Sequence, residues 1–428
     1  MFSINVGWRW RSNEQRLIAG LRDGRWLTIE RIRASALLMI VASVISIGWL
    51  FTGGAADPRG HAIGTDFVSF WSVSWALLNG HSHAVYDPAA LAALEEVAVP
   101  RTVPAFYAWQ YPPIALLLVY PLALLPYLWA LGAWLVVGAI GYLSALWRIS
   151  PRASTFWLGL AFPAVLLTIT HGQNGFFTAA LLTWGLLLSR DRPVIAGILI
   201  GTLSFKPQLA LLLPVALVVG RHWLTIAVAG LTVLGLSLLS ILCFGADVWR
   251  EFLASTAFAH RMLDLGWVPF FKMQSVFSAV RLAGGSLALA YPAQALVTAG
   301  TAVLIAWIWR SGADIEIKAA AVLVATPLVT PFVLDYDLVL LAPAIALVWR
   351  KIATGGALAW EGACLALAAV LPLVGRPIAQ YTSVTIAPLV LGAFLAVIAV
   401  RCRAERVPST AGSFTSKGCL SLSSNITG

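Results

Sequence analysis

Four short polar groups interrupt an otherwise apolar chain of 428 residues. Gly64-Thr65-Asp66-Phe67 offers a carboxylate, and His171-Gly172-Gln173-Asn174-Gly175 an imidazole and two amides. Lys206-Pro207-Gln208 offers a cation, and Asp335-Tyr336-Asp337 two carboxylates about a phenol. A carboxylate beside a hydroxyl can take its proton, and a cation can hold an anionic leaving group. Amide and phenol groups can hydrogen-bond the hydroxyls of a polyol. Each group also has a structural reading. Asp66 precedes an apolar helical stretch and suits its cap. Gln173 and Asn174 are the residue types a tight turn uses. Asp337 suits the start of a following helix, and Lys206 could carry its ammonium outward on its apolar stem. Asp57 and Asp87 are weaker candidates, because Asp87-Pro88 reads as a turn or helix start. Tyr111-Pro112-Pro113 reads as architectural, Glu361 as structural, and His81 and His83 as loop surface.

The elements that carry these groups follow from composition. Hydrophobic residues make up 60% of the chain and charged ones only 11%, against about 25% charged in a soluble domain. A hydrocarbon slab of about 30 Å needs roughly 20 apolar residues per helix, and runs such as 34–51, 128–147, 224–244 and 384–400 meet that length. These features exclude a soluble enzyme, a nucleic-acid binder and a disordered scaffold. The chain reads as an all-α polytopic membrane protein with the lipid bilayer as its surroundings. Spans are expected near 34–54, 128–147, 155–170, 175–189, 193–205, 208–222, 224–245, 286–309, 318–334, 338–349, 354–374 and 384–400, about twelve in all. No C-x-x-C or H-x-x-x-H spacing occurs, so no disulfide framework, metal site or cofactor is expected.

The net charge of +10 is read as topology, not as affinity for nucleic acid. With the N-terminus inside, twenty of the 28 basic residues fall on the cytoplasmic side and eight outside. The expected organisation is a basic cytoplasmic segment over 1–33, a transmembrane domain over 34–400, and a disordered cytoplasmic tail over 401–428. The protein is then a multi-pass protein of the inner (plasma) membrane. Both termini are cytoplasmic, and long outer loops cover about 55–127 and 246–285. In the first loop, Phe67, Phe70, Trp71, Ser74, Trp75 and Leu78 form a helical stripe expected to lie in the interface, ended by Gly80. Tyr111–Pro126 is expected to be a short embedded helix, since an odd number of crossings must separate the loop from Arg148 and Arg152. Ten of the eighteen acidic residues and all four polar groups then reach one outer layer. An active site there would suit a substrate that is partly lipid.

Gly64-Thr65-Asp66-Phe67, Asn79-Gly80 with Val85-Tyr86-Asp87-Pro88, and Tyr111-Pro112-Pro113 with Pro121-Leu122 and Leu125-Pro126 run in order through the first third. Gly172-Gln173-Asn174, Ala196-Gly197 and Lys206-Pro207 continue the series. Over roughly residues 60–350 the chain resembles glycosyltransferase family 87, polyprenol-phosphate-mannose-dependent mannosyltransferases of the GT-C membrane fold. The resemblance implies transfer of a sugar, mannose, from a polyprenyl-phosphate donor to the hydroxyl of a glycolipid, glycan or protein acceptor. Transfer would occur on the non-cytoplasmic face with inversion, so one base suffices and no covalent intermediate forms.

By this resemblance Asp66 is the general base. Lys206, Gln173, Asn174, His171, Asp335, Tyr336 and Asp337 are the expected substrate-binding residues. Arg250, Arg261, Lys272 and Arg281 are alternative cations for the donor phosphate. The chain departs from the family where Asp335-Tyr336-Asp337 stands in place of a common His. D-x-D is also a metal-binding pattern in other sugar transferases, but two carboxylates supply too few oxygen ligands to argue for a metal. The alternatives are a transporter or flippase for a lipid-linked sugar or other solute, and a non-catalytic assembly partner. The large first outer loop and the one-sided polar layer favour the enzyme over a transporter, whose site is expected near mid-membrane on broken helices.

Overall fold

The computed structural model describes residues 15, 18–24, 26–53, 56–98 and 105–405. Among the described residues the only bridges are the isolated pairs Ala56↔Ala62 and Met273↔Leu334, and every other regular element is helical. Helix α1 (Ile29–Leu50) starts at Thr28, whose side chain accepts a hydrogen bond from the Arg31 amide. The first long loop holds α2 (Phe67–Leu78), α3 (Pro88–Ala98) and α4 (Ile114–Val119). Next come α5 (Tyr127–Ile149), α6 (Ala153–Leu160), α7 (Pro163–His171), α8 (Gly175–Leu188), α9 (Pro193–Thr202), α10 (Leu213–Val219) and α11 (Trp223–Phe244). The second loop contains α12 (Asp247–Asp264) and α13 (Val276–Leu282), followed by α14 (Leu287–Trp309) and α15 (Ile315–Ala325). A 3-10 segment, Asp335–Leu340, runs into α16 (Leu341–Gly355), and α17 (Glu361–Thr382) and α18 (Ala387–Ala404) close the chain.

Among the described residues seven helices are long and apolar enough to cross a membrane, or eight if α6 and α7, bent by 60°, count as one span. The expected number was about twelve. Apolar composition runs on through 155–222, but Pro163, Pro193 and Pro207 stand at the starts of helical segments, where a missing N–H breaks the preceding ladder. The pieces between are short. The 14 residues of α8 rise about 21 Å, less than a full slab. Hydropathy adds up residues and does not register such breaks. At the other boundary α18 continues to Ala404, so Arg401 and Cys402, placed in a disordered tail by sequence, are buried helix residues. The rest of that expected tail, from 406, lies outside the described residues.

Of the stripe on α2, Phe67, Phe70 and Ser74 are buried inside the protein, while Trp71, Trp75 and Leu78 are half-exposed. Val68, Ser69, Ser72, Val73 and Ala76, on the rest of the helix, are buried as well. Two of the buried hydroxyls on α2 find partners inside the protein. Ser69 Oγ donates to the Asp66 carbonyl at 2.9 Å, and Ser74 Oγ donates to the Tyr120 carbonyl at 2.7 Å and accepts from the Ala123 amide at 2.8 Å. The Ser74 hydroxyl therefore ties the loop segment 111–125 onto α2. Gly80, at φ +77°, ends α2 as expected, and the His81 amide reaches back to the Ala76 carbonyl at 2.8 Å. Tyr111–Pro126 does hold a short helix, α4, followed by the 3-10 turn Leu122–Leu124.

Charges collect at both ends of the bundle. At one end Arg350 pairs with Glu316 at 2.7 Å and donates to the Ile149 carbonyl at 2.9 Å. Beside it, Lys351 pairs with Asp314, and Arg401 with the fully buried Glu361. The opposite ends of α5, α16 and α17 frame the second group of charges, which contains Asp66.

Candidate active site

Asp66 is positioned from both sides. Tyr127 Oη donates to the Ile63 carbonyl at 2.7 Å and pins the approach to α2, while the Asp66 amide donates to the His171 carbonyl at 3.1 Å. The turn that ends α7 lies directly on the first residue of α2. Gly172 takes the left-handed conformation at φ +62°, and a Cβ there would stand 2.5 Å from Phe67 Cβ. Only glycine permits this approach. The Gln173 amide then donates back to the Thr168 carbonyl at 3.0 Å, which closes the helix end and points the Gln173 side chain at Asp66.

A continuous hydrogen-bond chain starts there. Gln173 Nε2 donates to Asp66 Oδ2 at 2.8 Å. Gln173 Oε1 accepts from Tyr111 Oη and from the Asn174 amide, both at 3.3 Å. Asn174 Nδ2 donates to Tyr111 Oη at 3.0 Å, and Asn174 Oδ1 accepts from Lys206 Nζ at 3.1 Å. Lys206 Nζ donates to Asp337 Oδ1 at 2.5 Å, and Asp337 Oδ2 accepts from the Leu334 amide at 3.1 Å. Both amide orientations follow from this network. Burial and the nearby Asp337 and Asp66 carboxylates push the Tyr111 phenol above its ordinary value, so it keeps its proton and remains a donor.

Five segments far apart in sequence thus meet, and the structural readings can be checked one by one. Asp66 stands at the N-cap of α2 but makes no side-chain cap bond, and among the described residues Gln173 is its one side-chain partner. Lys206 does not snorkel. It is only 4% exposed and lies over the Tyr336 ring at 5.4 Å, its charge matched by Asp337. Asp335 and Asp337 serve different cations. Asp335 Oδ1 accepts from the Tyr336 amide at 3.0 Å, and Oδ2 lies 3.4 Å from Arg376 Nη1. His171 Nδ1 bonds the Leu167 carbonyl at 2.9 Å, which places the ring proton on Nδ1 and leaves the Nε2 lone pair available. Its ring packs against Tyr336 with centroids 5.9 Å apart.

Burial sorts the cluster into a floor and a rim. Gln173, Asn174, Lys206, Asp335, Tyr336 and Asp337 are buried, whereas Asp66, Tyr111, His171, Lys272 and Arg376 are half-exposed. Tyr111, read as architectural, in fact sits in the middle of the network. Arg376 was counted only as an outer charge. The signal that could have found it is a lone cation inside the apolar run of α17, which is costly unless it faces a polar site. Lys272 was one of four alternative cations, and the structure separates them. Arg250 pairs with Asp247 at the exposed surface, Arg281 bonds the Gly285 carbonyl at 2.8 Å, and Arg261 is solvent-exposed. Asp57 and Asp87 are local turn makers: Asp57 Oδ1 accepts from the Arg59 and His61 amides, and Asp87 Oδ1 from Ala89 and Ala90. Of the loop histidines, His81 stacks on Trp75, and His83 bonds Glu251 at 2.7 Å.

A search among curated proteins and among solved structures finds no match to this chain. Compared with protein families, residues 109–331 match glycosyltransferase family 87. The matched stretch is just over half of the 428 residues, and it contains Tyr111, His171, Gln173, Asn174, Lys206 and Lys272. A chain whose described residues are helical, with seven or eight candidate spans among them and a polar network at one end of its bundle, therefore has a family, and the chain belongs to glycosyltransferase family 87.

Proposed function

We propose that this membrane glycosyltransferase takes its sugar, mannose by the family resemblance, from a polyprenyl-phosphate carrier and gives it to an acceptor hydroxyl on the non-cytoplasmic face of the plasma membrane. Asp66 is the general base of a single inverting displacement on a GT-C-type scaffold. The acceptor is a glycolipid, a glycan or a protein. The acceptor O–H gives its proton to Asp66 as its oxygen bonds the anomeric carbon, and the anomeric C–O bond breaks with its electron pair leaving on the carrier phosphate. One displacement at one carbon inverts the donor linkage and needs no covalent intermediate.

The observation that carries this reading is the state of the Asp66 carboxylate. It sits where a cap is expected yet caps nothing. Its Oδ2 is fixed by a neutral donor, Gln173, and Oδ1 has no partner among the described residues. A carboxylate held by an amide, with one oxygen open and no cation bonded to it, is placed to accept the proton of an incoming hydroxyl. Gln173, Asn174, Tyr111 and His171 supply donors and acceptors to sugar hydroxyls beside it. Asp335, Tyr336, Asp337 and Lys206 hold that wall in place and line its deeper part. The orientation is supported by the opposite end of the bundle, where the basic residues assigned to the cytosol gather.

The test is transfer by the purified protein in liposomes, with polyprenyl-phosphate mannose and candidate acceptors. Wild type is expected to yield an α-linked product from a β-linked donor. Asp66→Asn is expected to lower the rate by about 10³-fold, within the range of general-base contributions. Undiminished transfer by Asp66→Asn would remove the base. Solute uptake with no transfer would remove the enzyme reading in favour of a transporter.

A further inference from the structure

We infer that Lys272 and Arg376, not Lys206, form the seat of the carrier phosphate, with Asp335 holding Arg376 in place until the phosphate arrives. The inference rests on the lipid-carrier reading above and adds to it the residues that grip the leaving group.

The backbone puts the two cations together. Lys272 ends the 3-10 turn Phe270–Lys272. The next residues pair with the strand-like stretch before Asp335, through the Met273↔Leu334 bridge and the Gln274 amide donating to the Val333 carbonyl at 2.9 Å. On the other side α17 brings Arg376 over the neighbouring Phe271 ring at 6.0 Å. Gly375 leaves space for the buried Gln274 side chain, whose Oε1 would stand 2.9 Å from a Cβ there. That oxygen is buried without a hydrogen-bond partner, an unsatisfied acceptor wedged between the turn and the helix that carry the two cations.

The two cations are also the least satisfied charges in the cluster. Among the described residues the Lys272 ammonium makes no hydrogen bond or ion pair. Arg376 lies 3.4 Å from Asp335, beyond the roughly 2.7–2.9 Å of a well-formed charged pair. Lys206, in contrast, is committed to Asp337 and Asn174 below the surface, and a phosphate could reach it only by displacing both. Burial and Arg376 hold the Lys272 ammonium below its ordinary value, while Asp66 and Asp335 oppose the shift.

The chemistry fits a pair of cations. A sugar–phosphate–prenyl diester carries one negative charge, and the polyprenyl monophosphate it releases approaches two. Two cations that repel each other in the empty site are relieved more by the second charge than by the first, so they favour the departing phosphate over the bound donor.

Binding of labelled polyprenyl monophosphate to the full-length protein in lipid nanodiscs tests this directly. Lys272→Gln and Arg376→Gln are each expected to weaken binding about 10- to 100-fold, the loss of one charge-assisted contact. Lys272→Arg should restore most of it. The surface variant Arg250→Gln should bind as wild type does. Polyprenol, the same tail without phosphate, should bind wild type and Lys272→Gln equally. Because Arg376→Gln leaves Asp335 without its cation, Arg376→Lys and a melting curve accompany it. Wild-type affinity in Lys272→Gln would overturn the seat while leaving the carrier reading intact. A wild-type protein that binds a nucleoside diphosphate and not polyprenyl phosphate would overturn both.

Discussion

The two ends of the helical bundle carry similar numbers of charges and treat them in opposite ways. At the Glu361 end the cations have been given countercharges. Both oxygens of Glu361 meet Arg401, Oε2 also accepts from the Leu358 amide at 2.7 Å, and Arg401 reaches the Gly356 carbonyl at 2.8 Å. At the Asp66 end the pairing is incomplete: Asp66 faces an amide, the Lys272 ammonium has no partner among the described residues, and Arg376 stands back from Asp335. The Glu361 end also has a cleft of about 410 Å³ lined by Asp314, Lys351, Thr354 and Arg401. A cleft by itself is therefore a poor guide here. A saturated ion pair has nothing left to offer a ligand, whereas a carboxylate and two cations held apart by the fold have a field that a substrate can complete.

Mutations at the two ends should separate activity from stability. The largest effect belongs to Asp66→Asn, with transfer lower by about 10³-fold and an unchanged melting temperature, because the side chain caps nothing. At the other end Arg401→Leu leaves Glu361 buried and unpaired, a loss of about 3–5 kcal/mol on denaturation. The protein that remains folded should transfer sugar at the wild-type rate. The double variant Glu361→Leu/Arg401→Leu should regain most of that stability, since a matched apolar pair removes the stranded charge. A large catalytic defect in folded Arg401→Leu protein would erase the distinction between the ends.

A smaller, pH-dependent effect sharpens the comparison. Burial and Arg376 favour the neutral form of Lys272, so its proton leaves at a lower pH than that of an ordinary lysine, about 10.4. Carrier binding should therefore weaken on the alkaline side before that value, and Lys272→Arg should move the limb upward. Binding measured from pH 7 to 10.5 on both proteins checks this. The smallest effect is expected at His83, whose exposed imidazole is raised above 6.5 by its hydrogen bond to Glu251 and by that carboxylate's charge. A raised pKa in the folded state means that the contact contributes fully below about 6.5 and is lost as pH rises through the folded value. His83→Ala should change transfer less than about twofold, and should loosen residues 82–84 toward exchange or proteolysis only on the acid side.

Much of this could be read before folding was known. The class of protein follows from apolar runs of bilayer length, and the bend between α2 and α3 follows from Gly80. Asp66, Gln173, Asn174, Lys206 and Asp337 stood out because a polar residue in an apolar chain needs a reason to be there. That need is a local property, so single positions reveal it. Partner choice is not local. Whether Lys206 reached outward or inward depended on Asp337, 131 residues away, and Tyr111 gained its place only when α7 ended against α2. The breaks within 155–222 likewise escaped a sum over residues, because a proline costs little hydropathy and yet ends a helix. Which charges stay unpaired at the Asp66 end is likewise a matter of distances between helices, and packing alone sets those distances.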